Sequence, residues 1–208
     1  MLDDVLEVLT GTGLAASAGL NAYIPLLAIG LLSRYTGLME LPSNWQWLEN
    51  GWVLAILAVL LAVEVVADKI PVVDTINDTV QTFIRPTAGG LAFGAGTTSE
   101  TATVSDPGTF FSGHQWIPIA IGVAVSLTVH AVKALARPVI NTLTMGIGAP
   151  IVSTVEDATS AAMSVVAIVI PFLVIVFLVA MVLAFWGLMR RRARRKAEKA
   201  AAAYPYYR

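Results

Sequence analysis

Long apolar runs that contain almost no charge are the feature that most restricts how this chain can fold. Residues 13–32, 52–67 and 161–189 are three such runs, and residues 116–136 form a fourth. Runs of about 20 apolar residues are typical of membrane-spanning helices. Only 13% of the 208 residues are charged and 57% are hydrophobic, which excludes a charge-rich disordered chain. We therefore predict an integral membrane protein.

Three shorter apolar segments are interrupted by proline, glycine and polar residues. They cover residues 72–84, 87–95 and 139–155. Irregular backbone at membrane depth is tolerated only where protein or a watery cavity surrounds it, so we predict re-entrant or broken helices there. For residues 72–84 an amphipathic helix on the membrane surface is the alternative.

The last apolar run is too long for one upright span. Its 29 residues, 161–189, would extend about 43 Å as a helix, against a hydrocarbon core of about 30 Å. The run must tilt, protrude, or bend at Pro171.

The sequence contains three pairs of similar features in the same order. The segment GLAASAG at 13–19 returns as GLAFGAG at 90–96, each copy precedes a span that starts with tryptophan, and PVVDT at 71–75 returns as PVINT at 138–142. This order predicts an internal duplication with halves at about 11–86 and 88–175. The fold class that we predict is therefore all-α, a polytopic helical membrane protein with internal duplication and interrupted or re-entrant helices. Repeats with paired interrupted segments are typical of transporters.

Charge is distributed unevenly between the body of the chain and its end. Residues 190–208 hold eight basic side chains and one acidic side chain, whereas the remaining residues hold five basic and thirteen acidic side chains. We divide the chain into a single transmembrane domain, residues 1–189, and a basic tail, residues 190–208. A basic block that follows an apolar run marks the cytoplasmic side, and we do not expect it to bind nucleic acid. Instead Arg190, Arg191 and Arg192 are candidates for contacts with lipid headgroups.

Charged residues within or beside the apolar spans are the candidate functional residues. Such groups are unfavourable in the bilayer, so they normally pair, face water or act. Glu64 and Asp68 lie one helical turn apart and would suit a cation or a proton relay, or Glu64 would pair with Lys133 or Arg137. Asp74 after Pro71 caps a new helix or contributes to an ion site. The full predicted ion or substrate site consists of Glu64, Asp68, Asp74, Asp78, Lys133, Arg137, Asn141, Glu156 and Asp157.

Two arginines directly precede prolines. Arg85 and Arg137 would either bind a phosphate or other anion, or mark the cytoplasmic edge of the membrane before a helix-limiting proline. We assign Arg85 to the lipid-headgroup candidates.

Residues for the common enzyme chemistries are missing from the sequence. The chain has no cysteine and two histidines, and it lacks the metalloprotease, P-loop and serine-hydrolase motifs. We predict that it is not an enzyme and that it uses no cofactor, and the sequence leaves a metal undecided.

Several of these segments carry a family resemblance. Residues 19–25 (GLNAYIP), residues 63–74 (VEVVADKIPVVD) with Arg85, and residues 148–150 (GAP) with the Glu156-Asp157 pair resemble a family of small bacterial multi-pass membrane proteins. That family is a domain of unknown function, number forty-one twenty-six. The resemblance implies a bacterial inner or plasma membrane location and no established activity.

Together these observations predict a small transporter or channel-like protein that passes an ion, small solute or lipid through the charged residues. The alternative is a structural or accessory subunit of a larger membrane complex, and an enzyme acting in the membrane ranks third. The expected partners are the lipid bilayer and either further copies of the chain or a larger complex. Small residues at four-residue intervals, among them Gly11, Ala15 and Gly19, indicate close helix packing.

Overall fold

The computed structural model of the protein describes residues 1–69, 71–97, 116–144 and 148–203. Within these ranges the chain is helical and has no β-strand, which confirms the predicted all-α class. A short 3-10 helix, Gln46–Glu49, precedes the third helix. The seven α-helices of the described ranges are α1 (Leu2–Leu20), α2 (Tyr23–Thr36), α3 (Gly51–Ala67), α4 (Pro71–Gly96), α5 (Trp116–Thr144), α6 (Ala149–Val169) and α7 (Leu173–Ala203).

Three helices in the described ranges are long and apolar enough to cross a membrane. These spans are Trp116–Arg137 in α5, Ala149–Val169, which is α6, and Leu173–Arg191 in α7. Helix α3 is also apolar but shorter, with 17 residues. The chain is thus a helical membrane protein, as its apolar runs predict.

The first apolar run is not a single span, contrary to the prediction for residues 13–32. Helix α1 ends at Leu20, and Asn21 has an extended backbone with φ −145° and ψ 124°. The Oδ1 atom of Asn21 accepts the backbone N–H groups of Tyr23 at 3.0 Å and Ile24 at 3.3 Å. Asn21 therefore satisfies donors that the start of α2 leaves without helical partners, and Pro25 in the first turn of α2 has no N–H to satisfy.

Helices α1 and α2 form a hairpin with Asn21 at its apex. The start of the buried part of α1, at Gly11, packs against Phe93 and Thr97 at the end of α4. Trp45, in the segment between α2 and α3, packs against Gly94 in the same region of α4. The two outer ends of the hairpin therefore lie at one end of the bundle, which we call the loop end and define by residues 37–50.

The other helices run between the loop end and an opposite end. We call the opposite end the junction end and define it by Asp68 and Lys69, between α3 and α4, and by Gly148 before α6. Helices α3, α5 and α7 run toward it, and α4 and α6 run away from it. Val174 at the start of α7 lies against Gly13 near the loop end, so the basic tail leaves the bundle at the junction end. The N-terminus and the tail consequently lie at opposite ends.

Two prolines that were expected to end helices lie inside them. Pro86 is within α4, so the predicted interruption between residues 72–84 and 87–95 is wrong, and Pro138 is within α5. Beside Pro86, the Ser126 hydroxyl donates a hydrogen bond of 2.7 Å to the carbonyl oxygen of Arg85. This bond joins α4 to α5 beside the proline. Pro86 itself has no N–H and therefore removes the helical bond to the carbonyl oxygen of Thr82, one turn earlier.

Two other prolines mark helix boundaries as predicted. Pro71 is the first residue of α4, and Pro171 lies between the end of α6 and the start of α7. The overlong run 161–189 is thus divided between two helices. Asp74, predicted to cap the helix after Pro71, is the fourth residue of α4 and does not precede that helix.

The predicted internal duplication is not confirmed. Its two glycine segments lie on α1 and α4, which are antiparallel, since Gly11 meets Gly96 whereas Gly19 lies further along beside Val129 of α5. Pro71 begins a helix but its counterpart Pro138 lies within one. The duplication with halves at about 11–86 and 88–175 therefore stays a prediction.

Small residues bring the central helices close together, as the sequence predicts. A Cβ atom built at Gly122 of α5 would collide with the carbonyl oxygen of Gly89 in α4. Between α1 and α6, the buried Ser17 hydroxyl lies 2.7 Å from the hydroxyl of Ser160 and 2.6 Å from that of Ser164. Helices α1, α4, α5 and α6 thus form a tightly packed centre.

Candidate functional site

Six charged side chains meet inside the bundle toward the junction end, and we call them the charged cluster. They come from four helices and the turn after α3, so that residues far apart in sequence lie within ion-pair distance. The cluster holds three carboxylates and three cations and is neutral overall. Its members are Glu64, Asp68, Arg85, Lys133, Arg137 and Glu156.

Glu64 of α3 pairs with Arg85 of α4. The Arg85 Nη2 atom donates to Glu64 Oε1 at 2.9 Å, and the two side chains are 0% and 1% exposed. Glu64 was expected to pair with Lys133 or Arg137, which is wrong because those residues lie nearer to Asp68. The second carboxylate oxygen of Glu64 is buried and has no hydrogen-bond partner among the residues that the structure describes.

Arg85 is enclosed by protein and does not reach a lipid headgroup. This position corrects its assignment as a headgroup ligand at the membrane edge: α4 continues through Pro86, so Arg85 lies within the helix. Its Nη1 atom is 3.1 Å from His130 Nδ1, and His130 Nε2 is 3.1 Å from the Thr82 hydroxyl. Because a guanidinium only donates, Nδ1 accepts and the proton of the neutral ring is on Nε2.

Asp68 is the centre of the cluster. One of its oxygens, Oδ2, lies 3.1 Å from Arg137, 3.6 Å from Lys133 and 3.9 Å from Arg85. The other, Oδ1, accepts the side-chain amide of Asn77 at 2.8 Å. One carboxylate oxygen therefore faces three cations.

Helix α6 contributes Glu156 to the cluster and places Asp157 beside it. Glu156 Oε2 lies 3.0 Å from both Lys133 and Arg137, and its side chain is 13% exposed. Asp157 Oδ1 accepts the side-chain amide of Asn21 at 2.9 Å and makes no ion pair among the described residues. With Asp157 counted, this region holds four carboxylates and three cations.

The break between α1 and α2 faces the cluster. Lys133 Nζ donates to the backbone carbonyl oxygen of Leu20 at 3.1 Å. Leu20 is the last residue of α1, and carbonyls in the last turn of a helix lack helical donors. The hairpin apex thus provides a backbone ligand and, through Asn21, a side-chain ligand to charged groups of α5 and α6.

The remaining predicted site residues fall into two groups. Some have side chains outside the described part of the structure, and the others lie on the surface. Asp74 and Asp78 are in the first turns of α4 and Asn141 is in the last turn of α5, and their side chains lie outside the described part. Arg190 and Arg191 are exposed on α7, and Arg190 lies over the Trp186 ring at 4.1 Å. Arg192 is on the same helix, with its side chain outside the described part. The lipid contacts of these arginines stay predictions.

His130 is a site residue that the sequence interpretation did not include. It precedes Lys133 by three residues and Arg137 by seven, which places all three on one face of α5. That spacing was available in the sequence. The spacing could not give the partner of His130 on α4, which is Arg85. Helix α4 was not expected to continue through Arg85 and Pro86.

Two cavities border the charged cluster on different sides of α5. A cavity of about 430 Å³ between α5, α6 and α7 is lined mainly by apolar side chains, and Glu156 is the one acidic residue among the described residues that line it. A smaller cavity of about 250 Å³ between α4 and α5 is lined by Thr82 and His130. The cluster is therefore buried, but its member Glu156 and the neighbouring His130 each line a cavity.

Comparison with known proteins gives a family but no function. Residues 8–191 match the family described as Domain of unknown function (DUF4126), in agreement with the resemblance seen in the sequence. No curated protein and no solved structure matches the chain.

Proposed function

The chain belongs to the DUF4126 family, and we propose that it is a small membrane transporter that moves an ion through the charged cluster. The observation that carries this proposal is the contact between Lys133 Nζ and the carbonyl oxygen of Leu20 at the break between α1 and α2. It places a broken helix, a cation and buried carboxylates at one point.

Broken helices of this kind suit ion binding for a physical reason. Carbonyl groups at the end of a half-helix lack hydrogen-bond donors and carry partial negative charge, so they attract cations. In many transporters, substrate and ion sites are formed by discontinuous helices near the middle of the membrane. The Asn21 apex, which contacts Asp157, supplies such a discontinuity beside the cluster.

The composition of the cluster also supports a transport role. Ionised groups within membrane helices are unfavourable by about 2.5 to 3.5 kcal/mol each on insertion scales, so they are usually few and paired. Here Asp68 faces three cations, and Lys133 and Arg137 both contact Glu156. A network with shared partners has several pairings of similar geometry, and an ion or proton that enters can be accommodated by re-pairing.

The burial of the cluster argues against the alternative, an accessory subunit that uses its charges to bind another chain. Charges that dock a partner would lie on an outer face, whereas Glu64, Asp68 and Arg85 are enclosed by helices of the same chain. Native mass spectrometry of protein extracted gently from its membrane tests this point. A stoichiometric foreign subunit would favour the accessory role, and a lone chain or a homo-oligomer would favour transport.

We place the protein in a bacterial cell membrane with the basic tail in the cytoplasm. Arg190 and Arg191 are at the junction end, and positive side chains beside a span favour the cytoplasmic side. Residues 37–50 and the N-terminus, with acidic Asp3 and Asp4, are then on the opposite side. The ion is proposed to enter from that side, along the hairpin formed by α1 and α2.

Flux through purified protein in liposomes tests the proposal. We expect proton or alkali-cation flux from the wild type, and loss of at least about tenfold in Glu64→Gln and Asp68→Asn, because both remove a charge from a buried network. Glu40→Gln, a change at an exposed loop residue, is the matched control and keeps full flux. Equal flux in folded Glu64→Gln, Asp68→Asn and wild-type protein would contradict the proposal.

A further inference from the structure

The cavity between α5, α6 and α7 has the dimensions and the lining of a lipid site. Its volume is about 430 Å³, and apolar side chains form most of its walls. We propose that this cavity holds one acyl chain of an anionic phospholipid and that Arg191 binds the phosphate of the same lipid. This site goes beyond the proposed function, because lipid binding is measured without any ion movement and the two can fail separately.

Helix α7 is the least enclosed of the three helices around the cavity. Of the apolar stretch that qualifies each helix as a span, 6% is buried in α7, compared with 28% in α5 and in α6. Near the start of α7, Val174 is buried and lies against Gly13 of α1. Further along, Ala180 and Ala184 line the cavity with short side chains. Helix α7 is thus held near the loop end and separated from α5 and α6 by the cavity.

A hydrocarbon chain is the occupant that suits apolar walls of this kind. Protein interiors are close-packed, and apolar walls that face a void lose dispersion contacts. Water does not replace those contacts, because an apolar cavity offers it few hydrogen-bond partners. Ala180 and Ala184 line the cavity and are also exposed on the outside of the bundle, where a membrane supplies hydrocarbon. An acyl chain of the bilayer can therefore enter beside α7.

Arg191 lies on the same side of α7 as the cavity. The lining residues Phe177, Ala180, Met181 and Ala184 follow one another at intervals that place them on one helix face. Arg191 comes seven residues after Ala184, and seven residues of a straight helix differ from two full turns by only about 20°. Its side chain is exposed. A positive side chain therefore stands in line with the cavity at the junction end.

The distance between Arg191 and the cavity fits one leaflet of a bilayer. At a rise of about 1.5 Å per residue, Ala184 lies about 10 Å from Arg191 along α7, and Ala180 lies about 16 Å away. The hydrocarbon part of one leaflet is about 15 Å thick, half of a core of about 30 Å. A lipid with its phosphate at Arg191 therefore brings the end of an acyl chain to the depth of the cavity.

Charge complementarity selects the headgroup. Arg191 belongs to the basic tail, in which eight basic side chains accompany one acidic side chain. A guanidinium binds a phosphate through two parallel N–H donors, and basic residues beside a span attract anionic lipids. A zwitterionic headgroup adds a positive group next to the phosphate, which the basic tail repels. The site therefore favours an anionic phospholipid over a zwitterionic one.

A bound acyl chain closes the side of the charged cluster that faces α7. Glu156 is the cluster residue that lines the cavity, and its side chain is 13% exposed. A chain in the cavity keeps water away from this carboxylate, and ion pairs are stronger in surroundings that contain less water. The lipid therefore strengthens the contacts of Glu156 with Lys133 and Arg137.

Competition between two lipids tests the site. Purified protein is placed in mixed micelles that contain equal amounts of palmitoyl-oleoyl phosphatidylglycerol and of phosphatidylcholine with the same chains in deuterated form, and native mass spectrometry counts the lipids that stay bound. We expect one retained lipid per chain, with phosphatidylglycerol favoured by about fivefold, which is the attraction of one arginine for an anionic headgroup. Folded wild-type protein that retains no lipid, or several lipids without preference, would overturn the site.

Replacement of Arg191 tests the headgroup contact. In Arg191→Gln one lipid should stay bound, but the preference for phosphatidylglycerol should fall to near equality. Arg194→Gln is the matched control, because Arg194 is also exposed but lies about 80° around α7 from Ala184, and it should keep the preference. Equal loss in the two variants would show a general attraction of the tail for anionic lipid and would overturn the role of Arg191.

Filling the cavity tests the position of the acyl chain. Ala180→Phe places a ring in the cavity and should release lipids of both kinds. Val182→Phe is the matched control, since Val182 is 63% exposed and is not among the residues that line the cavity, and it should keep the lipid. If Ala180→Phe does not fold, Ala184→Leu on the same wall takes its place. A folded cavity-filling variant that retains lipid as well as Val182→Phe would overturn the position of the chain.

Discussion

Arg85 of α4 donates to Glu64 of α3 across 2.9 Å, and neither side chain is exposed by more than 1%. The pair joins the last turn of α3 to the middle of α4. On the opposite side of Arg85, His130 of α5 accepts from the same guanidinium. One arginine therefore links three helices, and its loss affects each of them.

We expect Arg85→Gln to lower the free energy of unfolding by about 3 to 5 kcal/mol, because it leaves Glu64 buried without its ion-pair partner. The double variant Arg85→Gln/Glu64→Gln should lose clearly less than the sum of the two single losses. Reversible unfolding in mixed micelles measures both. Additive losses would mean that the two side chains do not depend on each other.

A methyl group at Gly122 should force α4 and α5 apart. In Gly122→Ala the new Cβ would collide with the carbonyl oxygen of Gly89 and with the side chain of Phe93, and we expect a loss of about 1 to 3 kcal/mol in unfolding free energy. Gly187→Ala of α7 is the matched control, since nothing lies within 4 Å of its Cβ position. Thermal unfolding of the two variants compares them. Equal midpoints would show that α4 and α5 are not in close contact.

Two asparagines that bind helix starts allow the break between α1 and α2 to be tested. Asn50 accepts the backbone N–H of Trp52 at the start of α3, as Asn21 accepts those of Tyr23 and Ile24. Replacing either by alanine should cost about 1 kcal/mol of stability.

Only Asn21→Ala should also reduce flux in liposomes, because only Asn21 reaches a carboxylate, Asp157. The comparison of flux at matched amounts of folded protein measures this difference. Normal flux in Asn21→Ala, with the expected small loss of stability, would remove the hairpin apex from the transport site.

The absence of cysteine makes the membrane orientation simple to measure. A single cysteine introduced at exposed Asp4 or Glu40 should react with a membrane-impermeant maleimide added outside intact cells. A cysteine at exposed Ala193 on α7 should react only after the cells are opened. Labelling of Asp4→Cys and Ala193→Cys from the same side would contradict the arrangement in which the two chain ends lie at opposite ends of the bundle.

Much of the fold follows from patterns that the sequence displays directly. Apolar runs gave the all-helical class, and Pro71 and Pro171 marked real boundaries. The hairpin between α1 and α2 was missed because residues 13–32 remain apolar on both sides of Asn21. Asn21 binds the N–H groups of Tyr23 and Ile24 at the break, and its amide also donates to Asp157 of α6, a contact that spans 136 positions in sequence.

Two prolines also show that local sequence does not determine where a helix ends. Pro86 and Pro138 lie within helices although a proline interrupts the hydrogen-bond ladder in any helix. Beside Pro86, α4 packs closely on α5, and the hydroxyl of Ser126 binds the carbonyl oxygen of Arg85. Local sequence cannot reveal such contacts with a distant helix.

The site could be predicted as a set of residues but not as a set of pairs. Glu64, Asp68, Lys133, Arg137 and Glu156 were selected because charge is unfavourable in apolar spans, and the structure brings them together. The partner of Glu64 was misassigned because it was expected on the equivalent helix of the duplication, α5, whereas Arg85 lies on α4. Pairing depends on which helices are neighbours, and that information is absent from charge alone.

The distribution of the cluster over the chain also has a consequence for biosynthesis. Glu64 meets its partner within one hairpin, α3 and α4, so the two charges can enter the membrane already neutralised. Asp68 is joined by Lys133 and Arg137 only after α5 has been made, and those two cations gain Glu156 only with α6. Each newly inserted helix supplies charges opposite to those waiting for it, so membrane insertion and assembly of the site proceed in the same order along the chain.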